Sequence, residues 1–178
     1  YIGTIDVADT DKETMSEMMV GRKVNLTVEK SQSRPGDVVL EVKDVCVKSV
    51  REGHAQNVVD HVSFQVRKGE IVCIAGIDGN GQTELVQAVT GLGAMSQGSI
   101  LVNGEDMTHK SIRYKNTHGM SHIPEDRHKH GLVLDYNLAY NLVLQQYFEP
   151  SFSKGGFLKK DKINEYADML IEKYDIRS

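Results

Sequence analysis

Eight consecutive residues carry the strongest chemical signal in the chain: Gly76-Ile77-Asp78-Gly79-Asn80-Gly81-Gln82-Thr83. They follow the phosphate-loop pattern G-x-x-x-x-G-K-[ST] at every fixed position except the lysine, which is Gln82. Glycines let such a loop curl so that successive backbone N–H groups point at one anion. A helix starting there adds the positive end of its dipole. Thr83 offers a hydroxyl to a Mg²⁺ bridging the β- and γ-phosphates of a nucleotide. Gln82 replaces an ammonium with a neutral amide, and a charged donor makes a hydrogen bond roughly twice as strong. The pattern therefore predicts a nucleotide site with weakened binding and poor or absent turnover. The alternative is an ordinary glycine-rich turn with no ligand.

Other chemistry-bearing residues read more plainly. His109, His118, His122, His128 and His130 crowd one stretch. A zinc site needs about four donors converging tetrahedrally, and no cysteine lies among them, so they read as exposed loop histidines. Cys46 and Cys73 are the only cysteines and read as two buried free thiols of a reducing cytoplasm. Glu125-Asp126-Arg127-His128-Lys129-His130 is a charged run, read either as a solvated loop or as a mobile contact loop. Tyr136, Tyr140 and Tyr147 have near-helical spacing and read as packing residues. Asn25-Leu26-Thr27 fits a glycosylation sequon by chance. No Ser/His/Asp or Cys/His nucleophile arrangement stands out.

The elements that must position the loop follow from periodicity. Glu70–Ala75 (EIVCIA) is almost wholly apolar, as a strand buried on both faces would be. Glu84, Leu85, Val86, Ala88 and Val89 favour a helix after the loop, ended by Gly91. Val38–Val50 and Val58–Val66 alternate apolar and polar residues, the period of half-buried strands, with a turn at 51–54 between them. Lys68-Gly69 makes another turn. Ser99–Val102 followed by Asn103-Gly104 signals a strand and a tight turn. A short helix over Thr108–Asn116 and a strand over Gly119–Ile123 follow, the latter stopped by Pro124. Asn137–Tyr147 reads as a helix capped by Asp135 or Asn137, and Lys154-Gly155-Gly156 as a loop. Lys162–Ile176 sets Ile163, Tyr166, Ala167, Leu170 and Tyr174 on one helical face.

Ahead of all this, Tyr1–Val7 is strand-like, and Thr10 or Asp11 caps a short helix ending at Gly21. That piece is too small to bury its own apolar face. Ser31 to Asp37 contains Pro35-Gly36 and reads as a linker. With 21 basic against 25 acidic residues the net charge is −4, which provides no electrostatic footprint for nucleic acid. No apolar run approaches the roughly 18 residues of a membrane-spanning helix. Tyr1-Ile2-Gly3-Thr4 has neither a starting Met nor a leader, so the first residue reads as a cut inside a longer chain.

GIDGNGQTELVQAVTGL (76–92) with HIPEDRHKHGLVL (122–134) strongly resembles the second nucleotide-binding domain of tandem ATP-binding cassette (ABC) importer subunits that serve simple sugars or nucleosides. YIGTIDVADTDKETMSEMMVGR (1–22) resembles the tail of the first such domain. The GIDGNGQT variant is most like the nucleoside-type branch. The resemblance implies an α/β, P-loop NTPase-like core with an antiparallel β-subdomain, ending before the signature motif. It divides the chain into a preceding-domain tail (1–30), a linker (31–37), the cassette core (38–136) and the start of a helical subdomain (137–178).

The cofactors implied are ATP and Mg²⁺. By the resemblance Gly76, Ile77, Asp78, Gly79, Asn80, Gly81, Gln82, Thr83 and Glu84 contact the nucleotide. His54 takes the place of the aromatic residue on the adenine. Thr83 and Glu125 hold Mg²⁺, with Glu125 where cassettes usually have a catalytic-loop glutamine. The implied partners are transmembrane permease subunits (touched by the charged run), the other nucleotide-binding domain and, indirectly, a solute-binding protein, on the cytoplasmic face of the plasma membrane. Neither the L-S-G-G-Q signature nor the Walker B carboxylate occurs in the 178 residues, so ATP turnover by this chain alone is not expected.

Overall fold

Val38–Lys48 (β1) is flanked on both sides by antiparallel partners, which is why its valines are so deeply buried. The computed structural model describes residues 2–23, 30, 32–49 and 56–177. Asn57–Arg67 (β2) pairs with one edge of β1, matching Val42 to Phe64. Gln97–Val102 (β3) pairs with the other, matching Val42 to Ile100. Glu105–Asp106 (β4) returns against β3, so the strand order is β2-β1-β3-β4. The turn before β4 is Asn103-Gly104 with φ of +49° and +81°. Two left-handed central residues match the twist of the strands they join.

Gln82–Thr90 (α2) lays Leu85 and Ala88 on this sheet. They join Val42, Val45, Val47, Val59, Ile100, Val102 and Met107 in one core. Each fully buried aliphatic side chain here contributes about 1.5–3 kcal/mol. Ile112–Thr117 (α3) follows, capped by the Ser111 hydroxyl accepting from Tyr114 N–H. Lys115 of α3 is 1% exposed, and its Nζ donates to the Val89 carbonyl at the end of α2 over 3.1 Å. Burial holds that ammonium's pKa below the ordinary lysine value.

A second, smaller core joins Val143, Phe152 and Ile163 with Tyr140 and Tyr166. It lies between Leu138–Leu142 (α4) and Lys160–Tyr174 (α5), with the hairpin Ser153–Lys154 (β5) and Phe157–Leu158 (β6) between them in sequence. Most of the expected apolar face of α5 is present: Ile163 and Ala167 are buried and Tyr166 and Leu170 half-buried, but Tyr174 in its last turn is 63% exposed. Near the start, Lys12–Val20 (α1) has Asp11 accepting from Thr14 N–H at 2.7 Å and left-handed Gly21 closing it, and buries none of its residues. Among the described residues no helix is long and apolar enough to cross a membrane.

Several expected elements differ. Residues 70–75 are not a strand, and Ile71 is 86% exposed. Residues 119–123 are likewise irregular, with Ile123 92% exposed. A parallel strand needs a neighbour on its edge, and no described strand lies beside either segment. Cys73 is consequently exposed rather than buried, whereas Cys46 is buried as expected. Residues 2–6 form no strand, and Val7–Asp9 is a single 3-10 turn. Helix α3 starts four residues late, and α4 gives way after Leu142 to i→i+3 turns that run to Phe152. Pro150 disfavours helix in the residue before it. The turn at 51–54, including His54, and the sequon at 25–27 lie outside the described residues.

Gly98 (φ +100°) is pressed against β1: a Cβ there would sit 2.6 Å from the Lys43 carbonyl and 2.7 Å from that of Asp44. Gly104 is equally left-handed but open on all sides. Gly98→Ala is expected to cost about 3–5 kcal/mol and Gly104→Ala only about 1 kcal/mol. Urea midpoints of the two variants check the contrast.

Candidate functional site

The phosphate-loop residues lead straight into α2. Gly81 is its N-cap with φ +90°, and Gly79 has φ +85°. Gly81 has a second reason to be glycine: a Cβ would lie 2.5 Å from the Val58 carbonyl of β2. Only a bare α-carbon lets the loop meet the sheet this closely. Helix α2 starts on this contact, with Leu85 N–H donating to the Gly81 carbonyl at 2.9 Å.

Among the described residues, no hydrogen bond uses the backbone N–H groups from Ile77 to Glu84. The first turn of any helix leaves such donors without internal partners. Ile77 to Asn80 are exposed, Gly81 is buried, and Gln82 and Glu84 are half-buried, so unpaired donors run from the exposed loop into the start of the helix. Gln82 does not extend from that cradle. Its Nε2 donates back to the Ile77 carbonyl at 3.4 Å and lies against Gly76, where any Cβ would collide with it.

Thr83 and Glu125 are brought together although 42 positions separate them: Thr83 Oγ1 donates to Glu125 Oε1 at 3.5 Å. A hydroxyl and a carboxylate are the hard oxygen donors that Mg²⁺ takes, so this pair fits the metal that accompanies a nucleotide. Glu84 lies beside Gly79 on a cavity of about 880 Å³ that Val47, Asn57 and Val58 also line. Asp78 and Asn80 are exposed on the loop. The adenine position assigned to His54 cannot be placed, because that residue is outside the described set.

The charged run is solvated. Asp126 caps a π-turn over Arg127–Gly131 by accepting from His128 and Lys129 N–H groups, which holds its carboxyl pKa below the usual range. A second cavity of about 440 Å³ lies alongside, with apolar Leu92, Ile112 and Ile123 and with Arg127 and His130. Lys115, missed by the sequence reading, anchors the far end of α2 from beneath. Its one signal was a lysine on the inner side of a short predicted helix, which looks like any surface lysine.

Residues 59–176 match the ABC transporter family. The nucleoside import ATP-binding protein NupA of Lactococcus lactis subsp. cremoris is 45% identical over 99% of this chain and 34% of its own length. The guanosine import ATP-binding protein NupO of Bacillus subtilis is 42% identical with the same two coverages, 99% and 34%. The ribose import ATP-binding protein RbsA of Bacillus licheniformis is 36% identical, again over 99% and 34%. The chain thus spans about a third of the length of these curated relatives. Among solved structures, a nucleotide-free ATP-binding cassette from an ABC transporter has a TM-score of 0.51 at 19% identity, covering 72% of this chain and 46% of that one. That likeness concerns the fold alone.

Gly81→Ala forces both a left-handed alanine and a clash with Val58, and should cost roughly 2–5 kcal/mol, read as a lowered urea midpoint. Lys115→Met keeps the volume and removes a buried charge, so its stability should stay within about 1.5 kcal/mol of the parent near neutral pH. The folded-state pKa of Lys115 is lowered, so the folded parent releases that proton before the unfolded chain does. Stability of the parent relative to Lys115→Met should therefore rise as pH climbs toward the unfolded value of about 10.4. Urea melts of both proteins at stepped alkaline pH check the sign.

Proposed function

The chain belongs to the ABC transporter family, and on that premise we propose that it is part of the ATP-binding subunit of an importer for nucleosides or simple sugars. The observation that carries the reading is the exposed loop whose backbone donors run unused into the start of α2, with Thr83 and Glu125 meeting at its edge. The importer and solute class are supported by the relatives, which are named for nucleoside, guanosine and ribose import.

In this reading the N–H groups from Ile77 to Glu84 bind the β- and γ-phosphates, with Gly76, Gly79 and Gly81 shaping the loop around them. Thr83 and Glu125 would hold the Mg²⁺, which when bound supplies positive charge to the phosphate oxygens. Gln82 donates at most a neutral hydrogen bond, so both ground-state binding and the charge stabilisation needed for hydrolysis are reduced. The site binds Mg-ATP weakly and turns it over poorly or not at all. Residues 38–136 form the cassette core, 137–178 the start of a helical subdomain, 31–37 a linker and 1–30 the tail of a preceding domain. The charged run 125–130 and its adjoining apolar cavity face a permease subunit, placing the protein peripherally at the membrane. His54 is proposed for the adenine, and the other nucleotide-binding domain of the parent chain for the far side of the nucleotide.

A second reading, a non-catalytic module that keeps the fold without its ligand, is favoured by one observation: the Gln82 amide turns inward to the Ile77 carbonyl. Calorimetric titration of Mg-ATP into the parent, Gln82→Lys and Thr83→Ala separates the two. Weak binding by the parent, about tenfold tighter in Gln82→Lys and weaker in Thr83→Ala, is expected of a formed site. Absence of binding in both parent and Gln82→Lys would establish the module instead. A phosphate-release assay should show no turnover by the parent above background; turnover that disappears in Thr83→Ala would overturn the low-activity part.

A further inference from the structure

The metal-ligand types crowded between His109 and His130 in sequence do not converge, but a different set does. Among the described residues, Cys46 on β1 and Asp60 and His61 on β2 each place one ligand atom within 4.8 Å of the others. Consecutive residues of a regular strand point to opposite faces, so Asp60 and His61 would ordinarily be separated by the sheet. His61 breaks the alternation with φ +50°. A left-handed residue without glycine's freedom costs about 1–2 kcal/mol, and here it brings Asp60 and His61 to the same thiol.

The surroundings suit a cation. Cys46 is 2% exposed, and its Sγ accepts the His61 backbone N–H at 3.2 Å, which holds the sulfur beside His61. Asp60 and His61 are exposed, so sulfur forms the floor and the harder donors the rim. Asn57 Nδ2 donates to Asp60 Oδ1 at 2.6 Å and steadies the carboxylate. Asp44, itself left-handed at φ +53°, sets Oδ1 2.6 Å from His61 Nδ1, and its Oδ2 accepts from Gln97 Nε2 at 2.6 Å. A carboxylate against the ring is what fixes tautomer and orientation in metal-bound histidines. With the proton on Nδ1, Nε2 is the nitrogen that keeps a lone pair.

We propose that Cys46, Asp60 and His61 form a zinc site, with Asp44 as the orienting partner of His61 and water in the fourth position. Thiolate, imidazole and carboxylate together suit Zn²⁺ rather than Mg²⁺ or Ca²⁺. Zinc bonds of about 2.0–2.3 Å set neighbouring donors roughly 3.3–3.8 Å apart. The three donor atoms, all within 4.8 Å of one another, draw closer than this when the ion binds. Binding releases the Cys46 thiol proton to solvent and fastens β1 to β2. The next residue of β1, Val47, and Val58 of β2 line the cavity beside the phosphate loop, so zinc would stiffen that wall. The inference does not depend on nucleotide binding.

The test uses the 178-residue chain carrying Cys73→Ser, which leaves Cys46 as its one thiol. Titration with Co²⁺ alone should give a cobalt–thiolate charge-transfer band in the near ultraviolet that Zn²⁺ displaces. Asp60→Asn and His61→Asn retain folding, since both sites are exposed and asparagine tolerates the left-handed backbone. Each should weaken zinc binding by about tenfold or more, and Asp44→Asn by about 10–100-fold. His128→Asn/His130→Asn should leave the affinity unchanged. Cobalt bound with no thiolate band, or zinc affinity unaltered by Asp60→Asn and His61→Asn, overturns the site. Affinity that falls in the His128/His130 variant instead overturns it in favour of adventitious loop histidines.

Discussion

The start of α2 depends on Gly81 having no side chain, because a Cβ there would lie 2.5 Å from the Val58 carbonyl. This contact fixes where α2 begins, because Gly81 is also the helix N-cap. From there Leu85 and Ala88 fall onto β1 and β2, and the loop's N–H groups are left without hydrogen-bond partners among the described residues. The sheet, the helix and the glycine loop therefore share one joint. Any side chain at 81 would press the helix start away from the sheet and shift the loop with it. At the other end Lys115 performs the complementary task, meeting a carbonyl that the last turn of α2 leaves without a helical donor. A buried ammonium is a costly way to do so, and it ties α3 firmly to α2.

What was legible in the sequence was local. The valine alternation of β1 and β2, the Asn103-Gly104 turn, and the Asp11 cap and Gly21 stop of α1 each rest on contacts within a hairpin or a helical turn. The phosphate loop and its helix were legible for the same reason, since glycine spacing and the helix signal sit side by side. The meeting of Thr83 with Glu125 was implied only by family resemblance; spacing alone does not bring positions 83 and 125 together. The zinc-type cluster was invisible because it depends on His61 leaving the strand's alternation. Nothing in NVVDHVSFQVR announces a left-handed histidine.

The two segments read as strands but found irregular, 70–75 and 119–123, fail for a common reason. The apolar side chains of 70–75 suit a strand buried on both faces, yet an isolated strand gains no ladder hydrogen bonds. β1 and β2 are neighbours in sequence, so closing the connection between them costs little, and β3 reaches the other edge of β1 from much farther along the chain. A further strand needs an edge to pair with, and among the described residues none lies alongside 70–75 or 119–123. Ile71 and Ile123 remain exposed in consequence. Composition thus predicted the environment these segments suit rather than the one they occupy.

The charge at the loop is the last constraint. With Gln82 in place of lysine, the positive potential available to a phosphate comes from the N–H groups and the helix end, worth about half an elementary charge. Glu125 places an exposed carboxylate against Thr83, where a phosphate would meet a like charge. On the proposed reading, an unaccompanied polyphosphate meets net repulsion at that edge, whereas one arriving with a divalent cation meets a donor pair suited to it. Nucleotide and cation must then raise each other's affinity, since linkage between two ligands is reciprocal. A lysine would blunt that coupling by neutralising phosphate charge on its own. On that reading the glutamine would make the accompanying cation the principal counter-charge, and weak binding and strong cation dependence would be two expressions of one substitution.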